Sequence, residues 1–200
     1  MGTQVKLKNV RIAFIDDLFE PGQYEGKGDF RHTATFIVQP GDENDKAIQA
    51  AIQQEAVGAW NKKADVMLED MRGNKNKFCY IKNKKDKTGE VYAGFEDRYA
   101  LSSIRKAKEG APLFLHKFKD PQTGKAQRLT GKEGVIYAGC NVNAMVEIWA
   151  QATPAAHMGM RCGLLTVQFN SDNDSFGGAS KPTDEDFDGI DAPTDEDDLA

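Results

Sequence analysis

Val135–Gln151 reads VIYAGCNVNAMVEIWAQ, and from Asn141 onward its residues alternate between two faces. One face carries only apolar residues: Val142, Ala144, Val146, Ile148 and Ala150. The other carries Asn141, Asn143, Met145, Glu147, Trp149 and Gln151. Alternation with a period of two predicts a β-strand that buries one face and turns the other toward solvent. The outward face includes the large ring of Trp149, which marks it as a candidate binding surface.

Further short strands are predicted on both sides of this stretch. Alternating or apolar runs bounded by Gly and Pro predict strands at Val5–Ile15, Phe30–Gln39, Val91–Phe95, Tyr99–Ala107, Leu113–Lys119 and Gly163–Phe169. In the first of these, Val10, Ile12 and Phe14 share the apolar face. Asp42–Met71 changes to a helical period, with Asp45 as a candidate cap and Trp60 as a packing residue. Short strands with an inserted helix predict a mainly β protein, an OB-fold five-stranded Greek-key barrel, with a β-sandwich as the alternative.

Charge is divided unequally along the chain. From Lys181 onward there are nine acidic residues and one lysine, so this segment carries a charge of −8 although the whole chain carries only −5. Residues 1–170 carry 25 basic and 20 acidic residues. A basic body and an acidic end favour nucleic acid as the partner of the body and a separate role for the end.

Two domains are expected from this division. Residues 1–170 form the predicted barrel, and residues 171–200 form a disordered acidic tail. The tail is rich in Asp, Gly, Ser and Pro, and it contains too few apolar residues to offset the entropy lost on ordering.

Basic and aromatic residues interleave between positions 72 and 128. Proteins that bind single strands combine a cationic groove for phosphates with aromatic rings for bases. The predicted DNA-binding residues are Lys75, Lys77, Phe78, Tyr80, Lys82, Lys84, Lys85, Tyr92, Arg98, Tyr99, Arg105, Lys106, Lys117, Phe118, Lys119, Arg128 and Trp149, with Phe95, Lys108 and Lys125 as further candidates. Each ring also has a simpler interpretation, because aromatic residues of strands more often belong to a core.

The acidic tail suggests two activities. Tethered carboxylates compete with DNA for a basic groove at high effective concentration, and once released they can dock on a basic pocket of a partner protein. The predicted partner-binding residues are Asp184, Glu185, Asp186, Phe187, Asp195, Glu196, Asp197, Asp198 and Leu199. A purely solubilising tail is the alternative.

Motifs of enzymes and metal sites are not found in the sequence. There is no H-E-x-x-H, P-loop or G-x-S-x-G pattern. The three cysteines (Cys79, Cys140 and Cys162) lie far apart and show no zinc-like spacing with histidine, so reduced, buried thiols are expected. We therefore expect no enzymatic activity, no cofactor and no metal. The absence of a long apolar run or a signal peptide leads us to expect no membrane partner.

A family resemblance adds to this interpretation. The segment YAGCNVNAMVEIWAQ, followed by GLLTVQFNSDNDSFGG and an acidic tail, resembles the OB-fold single-stranded-DNA-binding proteins of tailed bacteriophages, a family long described as a domain of unknown function. The resemblance is strongest from Val135 to Gly178 and looser over the first strand and the helix. It implies an OB-fold, binding of single-stranded DNA in replication and recombination, and a tail that contacts replication proteins.

The predicted function is therefore sequence-independent binding of single-stranded DNA in phage replication, recombination and repair, in the cytoplasm of the bacterial host. The alternatives are a strand-annealing recombination protein and a protein-binding adaptor whose acidic tail mimics DNA. A nuclease accessory factor is a further alternative. The sequence leaves a monomer and a homo-oligomer both open.

Overall fold

The strands form a single curved sheet in the computed structural model, which describes residues 2–24 and 26–176. Within those residues there are nine strands and two α-helices. The strands are β1 (Thr3–Ala13), β2 (Gly22–Tyr24), β3 (Lys27–Val38), β4 (Tyr80–Lys82), β5 (Tyr99–Lys106), β6 (Leu113–Lys119), β7 (Ala126–Arg128), β8 (Asn141–Gln151) and β9 (Gly159–Ser171). The helices are α1 (Glu43–Trp60) and α2 (Ala64–Met71), separated by a 3₁₀ turn at Asn61–Lys63.

Five long strands close into a barrel in the order β1, β3, β5, β9, β8, with β8 paired back onto β1. These pairings are antiparallel except that between β5 and β9, which is parallel and joins Ile104 to Gly163. β4 extends the sheet beside β5, and β6 runs parallel to β9. The mainly β fold, with a five-stranded barrel and a helical insertion, confirms the predicted fold class.

The apolar face of β8 points into the barrel as predicted. Val142, Val146 and Ile148 are fully buried and pack with inward residues of β1, β3 and β9 in the main core. Fully burying one such side chain stabilises the fold by about 1.5–3 kcal/mol. The predicted pattern of β8 therefore places the strand in the core, although the strand begins at Asn141 rather than at Val135.

The start of α1 differs from the prediction in its capping residue. The side chain of Asp42 accepts a hydrogen bond from the Asp45 backbone N–H at 2.7 Å, so Asp42 is the N-cap. Asp45 is instead buried, and its carboxylate accepts hydrogen bonds from Gln49, the Gly41 N–H and the Tyr80 hydroxyl. Burial acts to raise the pKa of Asp45, but the three hydrogen bonds outweigh it and the pKa is lowered. Asp45 therefore ties the helix to β4.

Two other predicted elements are corrected. Val91–Phe95 is not a strand: apart from one bridge between Lys85 and Val91, it forms turns, and a hydrogen bond from Phe95 N to Tyr92 O closes one of them. Residues 135–140 are also irregular, because Gly139 adopts a positive φ of 109° and Cys140 N bonds back to Tyr137 O.

The first residues of the predicted tail are held on the barrel. Ser171 belongs to β9, the Phe176 N–H donates to Ala138 O at 2.9 Å, and the Arg11 guanidinium stacks on the Phe176 ring at 4.1 Å. Arg11 also donates to Asp174 O at 2.7 Å. Residues 177–200, which include every residue predicted to bind a partner, lie outside the described part of the chain. Among the described residues, no helix is long and apolar enough to cross a membrane.

Candidate nucleic-acid interface

The outer faces of β3 and β5 form one continuous surface. Their antiparallel register pairs Arg31 with Lys106, Thr33 with Ile104 and Thr35 with Ser102. These residues point away from the main core, because the alternating residues, such as Ala34, Phe36 and Leu101, are buried in it. Thr35 is also buried, and Lys84 contacts its hydroxyl group. We call the six paired residues the β3–β5 face. In OB-folds the surface formed by the second and third barrel strands, here β3 and β5, commonly binds oligonucleotides.

Lys84 lies over the end of this face formed by Thr35 and Ser102. Its Nζ donates to Ser102 Oγ at 3.0 Å and to Thr35 Oγ1 at 3.3 Å, and it lies 4.8 Å from the centroid of the Phe14 ring. Burial, assisted by the charge of Lys75, lowers the pKa of Lys84 to about 8. The hydroxyl groups and the ring hold one ammonium group in a fixed position at the surface.

An aromatic group borders Lys84. The Phe14 ring meets the Tyr92 ring edge-on at 4.9 Å and lies 5.7 Å from the Phe95 ring. Phe95 is only 2% exposed and packs with Ala13, Ile37 and Ala100 in a second, smaller core, whereas Tyr92 is 36% exposed. Phe95 thus anchors the loop that presents Tyr92 beside the β3–β5 face.

The far end of the face carries two cations. Lys106 forms an ion pair with Asp29 at 3.2 Å, and this contact lowers the pKa of the Asp29 carboxyl group. Arg31 lies opposite Lys106, and its buried Nε has no hydrogen-bond partner among the described residues. The residue as a whole is partly exposed, and a guanidinium group carries further N–H donors that suit a phosphate oxygen.

A second basic and aromatic group lies on the β6–β7 hairpin. Phe118 is 62% exposed, and its ring lies 4.7 Å from that of His116 and 5.3 Å from Lys117 Nζ. Lys119 and Arg128 are exposed on the same hairpin. This group could extend a nucleic-acid path beyond the barrel wall.

The structure corrects the predicted role of two rings. Phe78 is 5% exposed and Tyr80 4% exposed, and both belong to the main core, where their faces are covered by other side chains. Neither ring can stack on a base in this structure. Phe95 is also too deeply buried to stack on a base. Tyr99 stacks on Tyr80 with ring centroids 4.6 Å apart, so only part of the Tyr99 surface is exposed.

Trp149, on the outward side of β8, borders the β3–β5 face, because its ring lies over Gly163 of β9 and Gly163 is bridged to Ile104.

Several other predicted residues lie away from the β3–β5 face. Arg105 donates to the backbone oxygens of Gly110 and Glu109, so it holds a turn. Lys82 pairs with Asp97 at 3.6 Å, and the exposed Lys75 and Lys77 lie in the loop before β4. Arg98 lines a pocket with Arg11 and Glu96. The predicted set therefore divides into separate surfaces, with Lys84, Lys85, Tyr92, Lys106 and Trp149 at or beside the face.

Sequence reasoning missed Phe14 and Arg31. The alternation of β1 placed Phe14 in the core, but its φ of 51° lies in the left-handed region and its ring packs with the second core outside the barrel. No sequence pattern signals this reversal. Arg31 could have been found, because it alternates with the buried residues of β3.

The described residues give little support for a metal site or a reactive cysteine. They contain no group of three or more His, Cys, Asp or Glu side chains placed to hold a metal ion. All three cysteines are buried and none forms a disulfide, and burial raises the pKa of Cys79 to about 12 and also raises that of Cys162. The thiols of Cys79 and Cys162 are therefore protonated and poorly reactive at neutral pH.

Comparisons with known proteins identify relatives over nearly the whole chain. The family model described as the ssDNA-binding protein of Enterobacter phage Enc34 matches residues 3–200. "Putative protein p50" of Acyrthosiphon pisum secondary endosymbiont phage 1 is 33% identical over 178 residues, which cover 88% of this chain and 87% of the relative.

Solved structures show the same fold. The single-stranded DNA-binding protein from bacteriophage Enc34, in complex with ssDNA, superposes with a TM-score of 0.63 at 18% identity, covering 87% of this chain and 89% of that chain. The single-stranded DNA binding protein gp2.5 encoded by bacteriophage T7 gives a TM-score of 0.52 at 11% identity, covering 96% and 100%. At these identities the likeness concerns the fold alone.

Proposed function

Because this chain belongs to the phage family of single-stranded-DNA-binding proteins represented by that of Enterobacter phage Enc34, we propose that it binds single-stranded DNA across the β3–β5 face. The observation that carries this location is Lys84, whose ammonium group is held between Thr35 and Ser102 beside the rings of Phe14 and Tyr92. A fixed cation next to an open aromatic ring is the combination that binds a phosphate and an adjacent base.

The binding path runs along the strands. Thr35 and Arg31 are four positions apart on β3, so Lys84 and the Arg31–Lys106 pair are separated by about 13 Å. Phosphates bound at both points would meet cations at each end of the face. The Lys117–Phe118–Lys119 segment and Arg128 of the hairpin extend the path, and Lys85 adds charge beside Lys84.

Little base selectivity is expected from this surface. Lysine and arginine contact phosphates, which are the same for every nucleotide, and aromatic stacking tolerates every base. The chain would thus coat single strands exposed during phage replication, recombination and repair, in the host cytoplasm. The acidic tail would weaken non-specific binding and contact other replication or recombination proteins. We assign no catalytic step to this protein.

Fluorescence anisotropy with a labelled oligonucleotide tests this proposal. Tyr92→Ala should weaken single-strand binding by about 1–3 kcal/mol, the cost of one lost stack. Val66→Ala is the matched control, since Val66 is an exposed apolar residue on α2. The contribution of charge is tested by comparing the affinity of Lys106→Gln, on the face, with that of Lys62→Gln, in the 3₁₀ turn. Lys106→Gln should lose more affinity than Lys62→Gln.

Two results would contradict the proposal. Equal or tighter affinity of the wild-type protein for duplex DNA would exclude a preference for single strands. Equal losses in the face variants and in their controls would exclude the β3–β5 face as the binding surface.

A further inference from the structure

A pocket of about 540 Å³ opens between the helices and the edge of the sheet formed by β4 and β5. Its apolar part is lined by Ile52, Leu68, Phe78, Tyr80, Ile81 and Tyr99. None of the six residues of the β3–β5 face lines it. Ile52, Leu68, Phe78 and Tyr80 are buried at its base, and a pocket of this size holds one or two large side chains.

The polar part of the pocket has a clear charge preference. Arg72 and Lys82 are its only charged lining residues among those described, and both are cations; Gln49, Gln53 and Gly73 complete the rim. Lys82 is held only by an exposed ion pair with Asp97 at 3.6 Å, which contributes little and can be exchanged. The pocket therefore fits a large apolar side chain flanked by carboxylates.

One segment of this chain has that chemistry. Asp184-Glu185-Asp186-Phe187-Asp188 places a single aromatic ring between acidic residues on both sides. The other large apolar residues beyond position 176, Ile190 and Leu199, are aliphatic. Only Phe187 offers a planar ring to the aromatic lining, and rings gain about 0.5–1.5 kcal/mol from such pairing beyond the area they bury.

The segment is also within reach. Phe176 is fixed against Gly94, five positions before Tyr99 of the pocket wall. Phe187 lies eleven positions after Phe176, and an extended chain of that length spans up to about 36–40 Å. A domain of this size has a radius of gyration of about 16 Å, so the linker is long enough to round the β4 edge.

We propose that the pocket between α1, α2 and β4 binds the acidic segment around Phe187 of the same chain. Phe187 enters the apolar part, and the flanking carboxylates pair with Arg72 and Lys82. The effective concentration of a tethered segment is in the millimolar range, so even weak binding would keep the pocket occupied. This site is separate from the proposed DNA surface and does not depend on it.

Methyl NMR of the full-length protein without DNA tests the site. An aromatic ring in the pocket shifts the methyl signals of Ile52 and Leu68, and Phe187→Ser should remove that shift. Leu199→Ser is the matched control and should leave both signals unchanged. Arg72→Glu should reproduce the effect of Phe187→Ser, whereas Lys62→Glu should not.

Three results would overturn the proposal. Pocket signals that are identical in the wild type and in Phe187→Ser would show that the segment does not bind there. A Phe187-dependent shift that disappears on dilution would assign the segment to a second copy of the chain. Movement of Ile52 and Leu68 only after addition of an oligonucleotide would make the pocket a nucleobase site.

Discussion

Lys84 gives DNA binding an unusual dependence on pH. Its pKa is lowered to about 8 by burial and by Lys75, whereas an unperturbed lysine titrates near about 10.4. With that value, about nine-tenths of Lys84 is charged at pH 7 and about one-tenth at pH 9. A bound phosphate stabilises the ammonium form, so binding at pH 9 must first protonate the side chain.

The size of the effect follows from these fractions. If Lys84 is fully charged in the complex, affinity for single-stranded DNA falls about tenfold between pH 7 and pH 9, or about 1.4 kcal/mol. If the contact is instead lost at pH 9, the slope of log affinity against log salt becomes shallower by about 0.7. Anisotropy titrations over a salt series at both pH values measure both quantities.

Folding stability should change in the opposite direction. Because the folded pKa of Lys84 is lowered, the unfolded chain binds more protons between about pH 8 and pH 10.4, and the free energy of unfolding rises with pH. Between pH 7 and pH 9 the gain is about 1.3 kcal/mol. Urea unfolding checks this sign.

Lys84→Arg is the control, since a guanidinium group stays charged throughout this range. Any pH dependence that remains in Lys84→Arg belongs to other groups, such as the amino terminus. Identical pH dependence in the wild type and in Lys84→Arg would refute the assignment of Lys84 to the DNA surface.

Three further variants test the placement of individual residues. Phe78→Ala should cost about 3–5 kcal/mol of unfolding free energy, because it empties a core position; a variant that loses DNA affinity but keeps its stability would return Phe78 to the surface. Asp42→Ala should lower the free energy of unfolding by about 1 kcal/mol, because it removes the cap of α1. Glu43→Ala is the control, and equal effects of the two substitutions would contradict the capping role. Tyr80→Phe should cost about 1.5–3 kcal/mol, since it removes a buried hydrogen bond to the Asp45 carboxylate, while leaving single-strand affinity unchanged.

The core of the fold could be predicted because its signal is local. The alternation in β8 and the helical period of α1 both follow from burying one face of a regular element, and both are observed. The observed bounds of β6, Leu113–Lys119, are the predicted ones, since a proline precedes the strand and a turn follows it. Asp45 was mistaken for the cap because capping residues and buried acids look alike before the tertiary contact with Tyr80 is known.

The DNA surface could be predicted only in part. Composition identified a cationic and aromatic middle segment, but the assignment of each ring to core or surface depends on loops that cross the barrel. Phe95 and Tyr92 are three residues apart in one loop, yet one anchors a core and the other is exposed. Phe14 reverses its direction through a positive φ that alternation cannot reveal.

The most direct test of the DNA surface is an NMR titration of the labelled protein with a single-stranded oligonucleotide. The Ile104 methyl group reports on the β3–β5 face, and the methyl group of Met145, which pairs with Lys6, reports on the β1–β8 side of the barrel. We expect the Ile104 signal to move on binding while the Met145 signal stays in place. A shift of Met145 with Ile104 unchanged would place the DNA on the β1–β8 side and contradict the proposed interface.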